Sequence, residues 1–582
     1  MKTLRLASCL MFLVAAALGC ATTQEGGGAS GEEVVLTVFG IADFHGQLRP
    51  GEVDGRPIGG AEWIASYLGA VRKANPGGVL AVDTGDSFTG PLVATHKEGA
   101  AIIEYFNQIG IDAMALGNHE FDFGPVGPLN RALEQGTDPR GALKERAKEA
   151  KFPILAANIY EQATGQRFAP EGIAPYTIIE RHGIKVAIIG LTTIDLPKIT
   201  LPHNLKGLLF KHHMTELRTL IPEVREKGAS VVVIVGHLGG NFDEDAQEYL
   251  GEIADLARSL SPDDVDLIVG GHTTGLFGAV INGIPVVKPE GYAHGFSRVD
   301  LTVDKGNRRV VRSKTVIHPQ TRFWHSLPTA EGKQEPINYL GVEIKPEEAI
   351  AKAIEPYFQA VDALKAVPIG ESTTAVTREG TYNSALGNLV TDAMRLFDES
   401  VEVALFNAGG IRADLPTGKL TFGNLYDSLP FDNTVCLVRL SGQQLKEVLE
   451  HGLSGEFGNL EVSGIKVLID PAQPVGSRVV RIIGPKDQEM ESNDFVEVAI
   501  NDFMLAGGDG YRMIPRSTSV ETGADVRELV VRLVELRGKK IAPDATPRYE
   551  RYDAAKKPQT APAPGKDKPP APKKKAKKKA KK

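Results

Sequence analysis

Five short apolar runs in the first half of this chain each end in Asp, Asn or His, most of them beside glycine. Val34 to Ile41 leads to Asp43-Phe44-His45, and Val79 to Val82 runs into Asp83-Thr84-Gly85-Asp86-Ser87. Met114 to Leu116 feeds Gly117-Asn118-His119, Val231 to Val235 feeds Gly236-His237, and Val265 to Val269 feeds Gly270-Gly271-His272. Helical patterns alternate with these runs from Val34 to about Gln320, which is the rhythm of a layered α/β domain. Open α/β sheets hold ligands beyond the carboxyl ends of their strands. The five tips are therefore expected to converge on one crevice.

Asp43, His45, Asp86, Asn118, His237 and His272 would meet there. Carboxylate, amide oxygen and imidazole, with no thiolate, suit Mn²⁺, Zn²⁺, Fe²⁺ or Co²⁺. Six ligands are too many for one catalytic ion that keeps an open position. They suit two ions sharing Asp86, about 3.5–4 Å apart. His119 has a proton to give, and Asp122, three residues on, can hold its ring in one orientation. Each residue alone reads as an ordinary turn or helix cap. The ordered set is what points to metal chemistry.

A chain of 582 residues, 42% hydrophobic and 24% charged, has material for several packed domains. Lys2 and Arg5 precede an apolar stretch, Leu6 to Leu18, that is too short for a membrane span and reads as an export signal. It closes on Ala17-Leu18-Gly19-Cys20, similar to a bacterial lipoprotein signal in which Cys20 takes the lipid; a plain cleaved signal is the alternative. Membrane attachment is then by lipid alone, in the periplasm or at the outer membrane. The three cysteines, Cys9, Cys20 and Cys436, leave no internal disulfide framework. Residues 21–33 read as a flexible tether. The segment from Lys556 to Lys582 holds twelve Lys and one Asp, a net +11 against a chain total of −7. The rest is thus acidic, about −18, which argues against nucleic-acid binding by the folded domains. The tail itself reads as a disordered spacer or a contact for anionic surfaces.

Ile350, Ile354, Phe358 and Val361 mark an amphipathic helix joining the two halves. The second half is a different α/β module. Asn383 to Asp392 opens a helix, and Phe406-Asn407-Ala408-Gly409-Gly410-Ile411-Arg412 is a strand end with a glycine turn. Leu429-Pro430-Phe431-Asp432-Asn433 and Phe503-Met504-Leu505-Ala506-Gly507-Gly508-Asp509 are aromatic loops.

Asp43-x-His45, Gly85-Asp86, Gly117-Asn118-His119-Glu120, Gly236-His237 and Gly271-His272 resemble the calcineurin-like metallophosphoesterase signature in its full order. The longer forms at 85–90 and 117–124, with the loops of the second half, are similar to the 5′-nucleotidase family from about Val34 to Tyr552. The resemblance implies an α/β chain with an N-terminal four-layer αββα sandwich (34–320) and a helical linker (321–365). A C-terminal mixed α/β substrate domain (366–552) follows, between the signal (1–20), the tether (21–33) and the tail (553–582).

The resemblance also implies that Asp43, His45 and Asp86 hold one ion, and Asp86, Asn118, His237 and His272 the other. His119 with Asp122 matches the catalytic dyad. Phe431 and Phe503 would sandwich a nucleobase, Asp509 would take the ribose hydroxyls, and Asn407, Arg412 and Asn433 would line the substrate. The implied activity is hydrolysis of nucleoside 5′-monophosphates, with other nucleotides or UDP-sugars as further substrates. A 2′,3′-cyclic-nucleotide phosphodiesterase with 3′-nucleotidase activity shares the architecture, as do thiosulfohydrolases, which need no base sandwich. An inactive surface-anchored binding lipoprotein is the non-enzymatic alternative. Two departures stand out. Thr274 occupies a position where the family often has Gln, Asn or His, and Arg378 lies on a longer loop than the family's second Arg.

Overall fold

The computed structural model describes residues 32–127, 138–200, 204–243, 247–273, 275–328, 333–431, 433–515 and 519–552. The proposed signal with Cys20, all but the end of the tether, Thr274 and the tail lie outside these residues.

The first half holds two sheets. In one, β1 (Glu33–Ile41), β2 (Val79–Asp83), β3 (Ala113–Ala115) and β4 (Ile154–Leu155) are parallel neighbours. In the other, β5 (Ile184–Thr192), β6 (Val231–His237), β7 (Leu267–Val269) and β8 (Ile284–Lys288) are parallel neighbours too. β9 (Gly295–Asp304) returns to the first sheet and lies antiparallel to β1 from Asp304 opposite Glu33 to Ser297 opposite Gly40.

The alternation of side chains assembles four layers. Leu36 and Val38 of β1 and Leu80 and Val82 of β2 pack against Val186, Ile188, Val233 and Val235 of the facing sheet. Phe39 and Ile41 point the other way, into a helix-covered core, and Val232 and Ile234 of β6 do the same on the far side. Strands buried on both faces need unbroken apolar sequence, which is why β6 reads Val-Val-Val-Ile-Val before its polar end. The chain is therefore an αββα sandwich in its first half, as expected.

The linker helix Glu348–Lys365 buries Ile350, Ile354, Phe358 and Val361, the predicted stripe, in the core of the first domain. The strand Val316–Arg322 pairs with β9 and adds to the first sheet. In the second half a five-stranded mixed sheet separates two apolar cores, with β10 (Val403–Asn407), β11 (Thr434–Ser441), β12 (Leu460–Ser463) and β13 (Phe495–Asn501) as four of its strands. The helix expected after Asn383 runs from Ala385 to Met394, with the Ser384 hydroxyl accepting the Gly387 N–H at 2.8 Å as its cap. Among the described residues, no helix is long and apolar enough to cross a membrane.

Candidate metal centre and facing aromatic loop

All five predicted tips meet at the carboxyl ends of β1, β2, β3, β6 and β7. The Asp43 carboxylate accepts the backbone N–H of His272 at 2.9 and 3.0 Å, joining the tips of β1 and β7 across the two sheets. Asp86 accepts the His119 N–H at 2.9 Å, and its other oxygen lies 3.0 Å from His237 Nε2. Two groups have ligand atoms close enough to share an ion: Asp43, His45 and Asp86, and Asp86, His237 and His272. Asp86 is common to both.

The chemistry of the donors fits cations. His237 Nδ1 lies 3.0 Å from the Thr84 carbonyl and bears the proton that bonds to it. Its Nε2 faces Asp86, the Asn118 side-chain oxygen at 3.1 Å and His272 Nδ1 at 3.1 Å. Oxygen and nitrogen lone pairs directed at one point repel unless a positive charge lies among them. Burial pulls the His237 imidazole down, but the Asp86 carboxylate outweighs it and holds it up at about 9. The cluster thus demands a positive charge there, from a proton or from a metal ion. Burial moves Asp43 up to about 6 and His45 down to about 3, the direction that leaves an imidazole free to ligate.

Several of the same residues also carry backbone strain. Asp43, His45, Asp86 and His272 have φ of +47°, +44°, +56° and +74°, and Asp509 has +48°. The left-handed region costs a non-glycine residue on the order of 1 kcal/mol or more, and it persists only where surrounding contacts enforce it.

Three of those contacts come from residues the sequence did not single out for a role. The buried Glu120 carboxylate accepts the N–H groups of Asp86 and Ser87 at 2.9 and 2.8 Å and of Gly117 at 2.7 Å, locking two tips together. Asp83, wholly buried, accepts the Gly85 N–H at 2.9 Å and the Ser87 hydroxyl at 3.1 Å. The fully buried Lys288, at the end of β8, donates to the carbonyls of Thr273 at 2.7 Å and Gly275, under the loop that carries His272. Burial lowers its ammonium to about 8. A lone Lys closing an apolar strand was the available signal.

His119 Nδ1 and Asp122 Oδ2 are 2.6 Å apart, the predicted pair. Burial opposes a charged imidazole, but the Asp122 and Asp86 carboxylates outweigh it and hold His119 up at about 10.

The loops of the second half face this cradle. The Phe431 ring lies 6.3 Å from the His119 ring, and the Arg412 guanidinium lies 5.9 Å from the centroid of Phe431. Arg378 donates to the Ile411 carbonyl at 3.4 Å, which brings the longer loop beside Arg412. Asn407 donates to Asp509 at 2.8 Å and accepts from Asn501 at 2.9 Å. Phe503 covers Gly508 so closely that a Cβ there would sit 2.4 Å from its ring. His451 Nε2 lies 2.7 Å from the Asp509 carbonyl, a support the sequence did not signal. Asn433 is buried and donates to Asp502 at 3.0 Å, so its amide is directed at the start of the helix Asp502–Leu505. Between the halves, Tyr426 is buried in the first domain's core and hydrogen-bonded to Thr95.

Residues 36–275 match the family model for calcineurin-like phosphoesterases, which use divalent metals, and residues 365–516 match that for the 5′-nucleotidase C-terminal domain. Fold and cradle together define a metallophosphoesterase joined to a second α/β domain. The chain belongs to the family built this way, the 5′-nucleotidases. It is 28% identical over 499 residues to endonuclease YhcR of Bacillus subtilis, covering 83% of this chain and 38% of YhcR. It is 26% identical over 543 residues to the 5′-nucleotidase of Vibrio cholerae, covering 86% and 90%. The solved structure of a 5′-nucleotidase precursor from Thermus thermophilus superposes with a TM-score of 0.67 at 26% identity, over 89% of this chain and 99% of that one. The chain spans 34% to 66% of the length of YhcR and two other curated bacterial relatives.

Proposed function

We propose that this chain hydrolyses nucleoside 5′-monophosphates to nucleoside and phosphate, using two divalent ions, outside the cytoplasm. The convergence of His237 Nε2 with Asp86, Asn118 and His272 within 3.1 Å carries this reading. Asp43, His45 and Asp86 hold one ion, and Asp86, Asn118, His237 and His272 the other. Such a pair, when bound, would supply an activated water as the nucleophile and positive charge for the phosphate oxygens. His119, charged and held by Asp122, stabilises the transferring phosphoryl group or delivers its proton to the leaving ribose oxygen. Glu120, Asp83 and Lys288 keep the loops in their strained conformations. Phe431 and Phe503 take the base, Asp509 the ribose hydroxyls, and Asn407 and Arg412 line the same cleft. Asn433 supports the loop through Asp502.

The mature protein is proposed to be lipidated at Cys20, so that Cys20→Ser releases it from membranes. The names of relatives include a trifunctional nucleotide phosphoesterase, so the test spans substrates. Phosphate release from AMP, 3′-AMP and 2′,3′-cyclic AMP is measured with and without chelator. Release from AMP that chelator abolishes and added metal restores supports the reading. Release only from the cyclic and 3′ substrates overturns the 5′ assignment, and chelator-resistant release overturns the metal assignment.

A further inference from the structure

Metal-ligating histidines almost always have the ring fixed by a hydrogen bond from the second nitrogen to a carbonyl or carboxylate. His237 follows this rule through Thr84. His45 does not: among the described residues neither of its ring nitrogens has a hydrogen-bond partner. Its faces are held by aromatic rings instead. Tyr292 stacks on it at 4.8 Å between centroids and 20° from parallel, and His119 meets it edge-on at 5.3 Å.

Tyr292 is 39% exposed, yet it is held in a costly conformation. Its φ is +57°, and that of Ala293 is +58°. Two successive non-glycine residues in the left-handed region need external contacts to persist, and these are present. The Tyr292 N–H donates to the Asp43 carbonyl at 2.7 Å. Gly291 lies so close that a Cβ there would approach the Asp43 Cβ to 2.7 Å. Glu290 pairs with Arg322 at 2.8 Å, and Lys288, four residues before Tyr292, grips the His272 loop. The segment 288–292 is thus fastened at one end beneath His272 and at the other to Asp43, and it presents one ring to His45.

We propose that Tyr292 is a positioning residue for the ion of Asp43, His45 and Asp86, its ring fixing the His45 imidazole in the way a hydrogen bond fixes His237. The flat face is what the role requires, and the hydroxyl is dispensable. This rests on the two-ion reading above.

The test is metal binding to purified Tyr292→Phe and Tyr292→Leu, by elemental analysis after dialysis against limiting Mn²⁺ and by Mn²⁺ titration. The wild type and Tyr292→Phe are expected to hold two ions. Tyr292→Leu, which fills the space without a ring, is expected to hold one tightly and bind the second about 10–100-fold more weakly, the usual cost of losing a ligand's orienting partner. Excess Mn²⁺ should restore its kcat with KM for AMP little changed. Two tightly held ions in Tyr292→Leu, with a raised KM for AMP, would make Tyr292 a substrate contact and overturn the proposal. Failure of Tyr292→Phe to hold the second ion would also overturn it. A wild type that binds no ion would instead bring down the two-ion reading, and this inference with it. Circular dichroism of the metal-free proteins separates either result from misfolding.

Discussion

The rings of His119 and Phe431 lie 6.3 Å apart and 17° from parallel, although they come from different halves of the chain. The residue proposed to act on the phosphoryl group and the residue proposed to stack on the base therefore share one cleft. Tyr426, just before the Phe431 loop, is anchored in the first domain and bonded to Thr95, just after the Asp86 loop. The two loops are thus registered against each other near their bases, while Phe431 and His119 face each other across the cleft.

Loss of an imidazole from the ion site of Asp86, Asn118, His237 and His272 should remove metal and activity together. His237→Ala and His272→Ala are each expected to lose about one ion per chain by elemental analysis, with turnover falling in parallel. Full metal occupancy and normal turnover in either variant would remove the site as drawn.

His119→Ala should keep both ions and lose kcat by about 10²–10⁴-fold, since general acid–base contributions have that size. A raised KM with unchanged kcat would make His119 a binding residue.

The His119–Asp122 pair also fixes a pH dependence. Burial works against the charged imidazole, and the Asp122 and Asp86 carboxylates together outweigh it, so His119 stays protonated up to about 10. In Asp122→Asn the imidazole loses its proton at lower pH. The alkaline limb of the kcat profile should then move to lower pH, with the variant closer to the wild type at pH 6 than at pH 9. An unmoved limb would show that the charge on His119 plays no part in turnover.

The strand tips were legible because strand period and glycine punctuation are local, and each ligand ends a run that is buried on both faces. Glu120, Lys288 and Tyr292 were not legible in the same way. Glu120 acts on the β2 tip, Lys288 on the loop after β7 and Tyr292 on the tip of β1, so their roles exist only after those strands have packed. Asn433 shows the reverse: its place in an aromatic loop pointed to substrate, and the fold directs its amide to Asp502. The cross-domain contact of Phe431 with His119 had no sequence signal, because neither half encodes where the other docks.

Away from the cleft, Glu461 makes a stability prediction. It accepts the Ser384 N–H and hydroxyl at 2.9 and 2.8 Å, and burial pushes its carboxyl up from 4.5 to about 7. The folded protein therefore holds this proton between about pH 4.5 and 7 while the unfolded chain releases it, so this group's contribution falls as pH rises through that window. Glu461→Gln keeps an acceptor oxygen and does not ionise. The difference in Tm between Glu461→Gln and the wild type should grow in the variant's favour from pH 4.5 to pH 8. A constant difference would mean that Glu461 titrates alike in both states.

The last prediction concerns specificity. Phe503 is half-buried against Gly508, beside Asp509, which is itself tied to Asn407. A base stacked there adds about 1–3 kcal/mol per aromatic face, roughly tenfold to somewhat over a hundredfold in binding at ~1.4 kcal/mol per decade. p-Nitrophenyl phosphate carries no nucleoside and presents its phosphate to the same metal cradle. Phe503→Ala should therefore weaken kcat/KM for AMP by about that factor and leave the small ester nearly unchanged. A parallel fall for both substrates would show that the Phe503 loop holds the fold or the cradle and does not read the base. No fall for either would remove Phe503 from the base site, and Phe431 would then stack on the base without a second ring.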